Sequence, residues 1–124
     1  MQAQQILFVE DDAIIGLSTC EFMRGQGVSV LDADNAASAM VVVGRNGYLS
    51  GLVTDVDLGA GEDGFAVAHR VRLAYPDLPV VYVSGTAATR HLAEGVADSI
   101  FIDKPCHPRQ ILEALKGLRS ARAA

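Results

Sequence analysis

Five short apolar runs recur along the chain, and the segments between them carry a helical period. Ile6-Leu7-Phe8-Val9 is continuous, and Val28-Ser29-Val30-Leu31 is weaker. Leu52-Val53-Thr54, Val80-Val81-Tyr82-Val83 and Ile100-Phe101-Ile102 complete the set. Runs without polar alternation predict strands covered on both faces, as in a parallel sheet between helical layers. Ala36, Ala39, Met40 and Val43 fall at i, i+3, i+4 and i+7, and Ala68, Val71 and Tyr75 at i, i+3 and i+7. Pro108 suits a first helical turn and opens a last helix with Ile111, Leu112, Leu115 and Leu118 on one face. The period is less regular over 13–24 and 87–94, where the first and fourth helices are expected. Gly25-Gln26-Gly27 and Pro76-Asp77-Leu78-Pro79 punctuate helix-to-strand returns. Five strands alternating with five helices predict one doubly wound α/β domain, a (βα)5 three-layer sandwich.

Length agrees with that count, since 124 residues make one domain with room for a core. The net charge of −5 changes the picture more. Its 15 carboxylates outnumber 10 scattered basic residues, and no basic face is available for phosphate backbones, so direct nucleic-acid binding is not expected. No apolar run approaches the ~18 residues of a membrane span, and only five mostly polar residues precede Ile6. Neither a membrane segment nor a signal peptide is expected, which points to a cytoplasmic protein. Cys20 and Cys106 stand apart with no C-x-x-C. They are read as free thiols, not as a disulfide, a zinc site or a nucleophile.

In doubly wound sheets the site lies beyond the carboxyl ends of the strands. Strand one ends in Glu10-Asp11-Asp12 and strand three in Asp55; strand four ends in Ser84 and strand five in Lys104-Pro105. Asp32 and Asp34, after strand two, are read as loop and cap residues. If strands one and three are neighbours, their ends lie roughly 5 Å apart and Glu10, Asp11 and Asp55 converge. Three such carboxylates repel one another unless a cation joins them. Oxygen-only ligands with no histidine nearby suit Mg²⁺ and not zinc. A hydroxyl (Ser84) and an ammonium (Lys104) complete what an aspartyl phosphate needs: a carboxylate nucleophile, and partners for three phosphoryl oxygens.

The chain resembles the receiver domains of two-component response regulators over nearly its whole length. The resemblance rests on ILFVEDD (6–12), LVTDVDLG (52–59), EDGF (62–65), DLPVVYVSG (77–85) and FIDKP (101–105), in that order and spacing. It implies the flavodoxin-like, CheY-like fold with parallel strand order 2-1-3-4-5, and a single receiver domain over 1–124 without an output domain. It further implies Asp55 as phosphoacceptor, Asp11 as direct Mg²⁺ ligand with Glu10 holding the water shell, and the main-chain carbonyl of Asp57 as third ligand. Ser84 and Phe101 fall at the switch hydroxyl and switch aromatic, and Lys104 at the family's lysine, with a cis Lys104–Pro105 bond. The phosphoryl group would come from a histidine kinase or histidine phosphotransfer protein, and the signal would pass to a downstream protein partner. Self-phosphorylation and autodephosphorylation, not enzymatic turnover of a substrate, would be its only chemistry.

Some residues depart from that pattern. The loop Leu58-Gly59-Ala60-Gly61-Glu62-Asp63-Gly64 lacks the usual proline and is one residue longer, which predicts added mobility. Cys106 replaces a common phenylalanine, which predicts a looser start to the last helix. Asp57 and Thr86 stand at positions that modulate autodephosphorylation in the family. His69, His91 and His107 are read as surface or boundary residues. Three other readings compete with this one. Asp55-Val-Asp57 matches the D-x-D motif of haloacid-dehalogenase-like phosphatases, which place it on their first strand and not their third. A flavodoxin-like cofactor binder would need phosphate donors where Glu10-Asp11-Asp12 stands. A phosphorylation-independent receiver-like interaction module would keep the fold alone.

Overall fold

The computed structural model describes residues 4–123. Strands β1 (Gln5–Val9), β2 (Ser29–Ala33), β3 (Gly51–Asp55), β4 (Val80–Ser84) and β5 (Ser99–Asp103) form one parallel sheet ordered β2-β1-β3-β4-β5. Helices α1 (Ala13–Gly25), α2 (Ala36–Arg45), α3 (Gly64–Ala74), α4 (His91–Glu94) and α5 (Pro108–Ala123) alternate with them, and a 3₁₀ turn (Ala88–Arg90) leads into α4. This is the expected (βα)5 doubly wound fold in the expected order.

Continuous apolar strands are required because successive side chains enter opposite helical layers. Ile6, Phe8, Val53, Val81 and Val83 point into one layer, where Cys20 and Met23 of α1 meet Ile111 and Leu115 of α5. Leu7, Val9, Leu52, Val80 and Tyr82 point into the other, against Ala36, Ala39 and Val43 of α2 and Val67, Ala68 and Val71 of α3. Each fully buried aliphatic side chain contributes about 1.5–3 kcal/mol of transfer free energy. The two layers therefore hold the sheet from both faces, and the strand ends are left free for chemistry.

Two local expectations need correction. Asp32 lies inside β2, and the α2 cap is not Asp34 but Asn35. The extended backbone of Asn35 aims its side-chain oxygen into the first turn, where it accepts from the Ser38 N–H at 2.8 Å. Ser38 Oγ in return accepts from the Asn35 N–H, and donates to Asp34 at 3.0 Å. The fourth helix is also not one helix over 87–94: only its last four residues are α-helical, and none of them is buried. With no apolar face to fold onto the sheet, that segment is held by polar contacts from its neighbours instead.

Candidate functional site

Val9 pairs with Thr54 in register, so the residues that follow β1 stand beside the last residue of β3. Glu10 is buried at the end of β1, its N–H donating to the Ala33 carbonyl at 3.0 Å. Asp11 is exposed. Asp12 turns away to cap α1, accepting from the N–H groups of Ile14 and Ile15 at 3.0 Å each. One carboxylate oxygen each from Glu10, Asp11 and Asp55 lie within 4.8 Å of one another.

Asp55 is only 8% exposed, although it terminates a strand. It is covered because α3 starts almost on top of it. Gly64, the first residue of α3, donates its N–H to the Val56 carbonyl at 2.8 Å. A Cβ on Gly64 would overlap the Asp55 carbonyl oxygen. Glycine is required there by close backbone approach, not by an unusual φ. Asp63 before it caps α3 through the Ala66 N–H at 3.0 Å. The Asp-Gly pair in the sequence thus sets the floor under Asp55.

Lys104 follows β5 directly. Its N–H donates to the Ser84 carbonyl at 3.0 Å, and the Lys104–Pro105 bond is cis. The ammonium Nζ donates to Glu10 Oε2 at 3.0 Å and to Asp55 Oδ2 at 3.1 Å. One ammonium thus serves two of the three clustered carboxylates. Burial pushes the Glu10 carboxyl up to about 7; the Lys104 hydrogen bond opposes that rise and the Asp55 charge adds to it. Burial works against the Lys104 ammonium as well, but its bonds to Glu10 and Asp55 prevail and raise its pKa. Lysine therefore stays charged, and the uncompensated strain falls on Glu10. Hard oxygen donors with one cation too few suit a divalent ion.

Ser84, Asp57 and Phe101 lie near this cluster but are not gathered into it. Ser84 is 1% exposed at the end of β4, and its Oγ accepts from the Thr86 N–H at 3.2 Å. The Asp57 carboxylate is turned outward and accepts from Thr86 Oγ1 at 2.9 Å. Phe101 is half-buried on β5 with its ring 5.7 Å from that of His91. Cys20 and Cys106 are both free, and burial raises both thiols. Cys106 helps line an apolar cavity of about 410 Å³, with Phe8, Ile15, Pro105 and Ile111, that opens beside Lys104.

Several contacts around this edge escape sequence reasoning. His91 is a boundary residue, as expected, but one with partners: its Nε2 meets Ser99 Oγ at 2.8 Å, and its ring lies 5.5 Å from that of Tyr82. His69 Nε2 donates to the Glu94 carbonyl at 2.8 Å. Arg90 joins Asp63 to Glu94. All of these pairs cross from one element to another, or lie within the short α4 turn, so no local pattern announces them.

The profile of the response regulator receiver domain matches residues 6–116. The chain belongs to that family. A solved response regulator receiver protein from Sinorhizobium medicae WSM419 superposes with a TM-score of 0.91 at 33% identity, covering 98% of each chain. The receiver domain of the hybrid histidine kinase CckA superposes at 0.75 and 25% identity, covering 92% of this chain and 97% of that one. Among curated relatives, a response regulator receiver protein of Anaeromyxobacter sp. (strain Fw109-5) is 31% identical over 116 residues, 92% of this chain and 45% of its own length. The response regulator FleR of Pseudomonas aeruginosa is 29% identical over 115 residues, 90% of this chain and 24% of its own. This receiver chain therefore spans less than half of either relative. It is a domain of two-component signalling, with an acidic pocket at the strand edge able to hold a metal ion. Among the described residues no helix is long and apolar enough to cross a membrane.

Proposed function

We propose that this receiver accepts a phosphoryl group on Asp55 from the phosphohistidine of a histidine kinase or histidine phosphotransfer protein, with Mg²⁺ in the acidic pocket. The observation that carries this reading is the position of Lys104 Nζ, bonded at once to Glu10 and Asp55, with Asp11 completing the carboxylate group. Asp11 would ligate the ion directly, Glu10 would hold its water shell, and the Asp57 carbonyl would supply a third ligand. When bound, the ion supplies positive charge to the transferring phosphoryl oxygens.

A carboxylate oxygen of Asp55 attacks phosphorus in line. The new O–P bond forms as the P–N bond breaks, and the donor imidazole leaves with that electron pair. No base is needed, because the nucleophile is itself a carboxylate. Lys104 then exchanges part of its bond to Asp55 for a phosphoryl oxygen, and Ser84 Oγ supports another. A move of Ser84 toward the phosphoryl group would draw on the segment after β4, to which its Oγ is bonded through the Thr86 N–H, and bias a two-state surface for a downstream protein partner. Phe101 would follow that motion.

Intact mass after incubation with acetyl phosphate tests this reading. One phosphoryl group should be gained, only with Mg²⁺ present, and none by Asp55→Asn. A folded protein that gains nothing and binds no beryllofluoride contradicts it, and leaves a receiver fold kept for protein contacts alone.

A further inference from the structure

Two return segments leave the phosphoacceptor edge. One follows Asp55 and ends at the α3 cap, Asp63; the other follows Ser84 and ends at Arg90, where α4 begins. Side-chain bonds tie the two together at both ends. Near the strands, Thr86 Oγ1 donates to Asp57 Oδ2 at 2.9 Å. At the far end, Arg90 Nη2 donates to Asp63 Oδ2 at 2.9 Å, while the guanidinium sits 5.2 Å over the Phe65 ring. The same guanidinium holds Glu94 with two bonds, Nε to Oε2 at 2.6 Å and Nη2 to Oε1 at 2.9 Å.

Asp63 does two things with two oxygens. Oδ1 caps α3 through Ala66, and Oδ2 takes Arg90. Because α3 is seated on the Asp55 carbonyl through Gly64, Arg90 is anchored to the element that covers Asp55. Besides the Thr86–Asp57 bond and the contacts of His69 with the Glu94 carbonyl and of His91 with Ser99, the segment it anchors has few buried side chains to hold it. No residue of the 3₁₀ turn or α4 is buried; within it Ala87 is, and Val96 is the next buried residue after it. Such a segment opens easily unless polar contacts restrain it.

We propose that Arg90 and Asp63 are positioning residues for Ser84: their bond braces the segment from Gly85 to Arg90 against α3 and keeps Ser84 turned into its own loop. The proposal rests on the phosphoacceptor reading of Asp55. Ser84 Oγ now accepts from the Thr86 N–H at 3.2 Å, a bond within its own loop, so a move of Ser84 toward a phosphoryl group on Asp55 pulls on that loop. The brace resists that movement and so favours the unmodified state. Arg90 and Asp63 are both partly exposed, so their pairing contributes little to global stability. Its effect is local.

Asp63→Asn separates the two duties of Asp63, because asparagine still caps a helix while its amide cannot accept from Arg90. Arg90→Gln cuts the bond from the other side, and Arg90→Lys keeps the charge. Two readouts are taken on the whole chain: amide hydrogen exchange over 85–95 in the free protein, and beryllofluoride affinity in Mg²⁺. Asp63→Asn and Arg90→Gln should each speed exchange in that window and tighten beryllofluoride binding by roughly two- to fivefold, with an unchanged melting temperature. The double variant should match the single ones, and Arg90→Lys, whose point charge cannot reproduce the fork of bonds, should resemble Arg90→Gln. Unchanged exchange, or effects that add in the double variant, overturns the brace. Wild-type protein that binds no beryllofluoride overturns the phosphoacceptor reading and the role given to Ser84 with it.

Discussion

Glu10 carries the electrostatic strain of the site. Its carboxyl titrates near 7 in the folded chain against 4.5 for a free glutamate, so folding favours the protonated form. Without divalent ions the contribution of Glu10 to stability is therefore fullest below about pH 4.5, and is lost as pH rises through about 7. The loss should be on the order of 2 kcal/mol, and melting temperatures between pH 5 and 8 would reveal it. Glu10→Gln should flatten that slope. The residues of this cluster were legible in the sequence because each closes an apolar run, and the fold brings such positions to one edge. What Ser84, Asp57 and Phe101 actually touch was not legible. Ser84 takes the backbone N–H of Thr86, while Asp57 and Phe101 meet the side chains of Thr86 and His91 only in three dimensions.

At the scale of the element, helix starts divide into those that support the site and those that do not. Gly64→Ala would force α3 off the Asp55 carbonyl, costing about 1–3 kcal/mol and weakening Mg²⁺ binding together with stability. Asn35→Ala removes a cap of similar chemistry on α2 and should cost about 1 kcal/mol in denaturant unfolding. Its Mg²⁺ affinity should not change, since the bonds of Asn35 run to Ser38 and not to Glu10, Asp11 or Asp55. Strands and long helices could be read from their apolar period, which two-sided burial imposes. The α4 turn could not, because a four-residue helix with no buried face leaves no period to read. The α2 cap lies one residue beyond Asp34 for a related reason: Asp34 and Asn35 are both good caps, and backbone direction decides between them.

For the whole molecule, one parallel sheet between two helical layers places the ends of β1, β3, β4 and β5 on a common edge. The strand order came from family resemblance, because neighbouring strands are not encoded by spacing along a chain. Mg²⁺ should stabilise the fold by mass action, by about 2.7 kcal/mol at a hundred times its Kd. That gain should be larger at pH 8 than at pH 5, where protonated Glu10 competes with the ion; thermal melts with and without Mg²⁺ at both values check this.

The central claim, that Asp55 receives the phosphoryl group, is tested most directly by borohydride reduction of protein treated with acetyl phosphate and Mg²⁺, followed by peptide mapping. An aspartyl phosphate is reduced to homoserine where it forms. The account predicts homoserine at position 55 alone, and none when Mg²⁺ is withheld. Homoserine at Asp11 or Asp57 with position 55 untouched would contradict it.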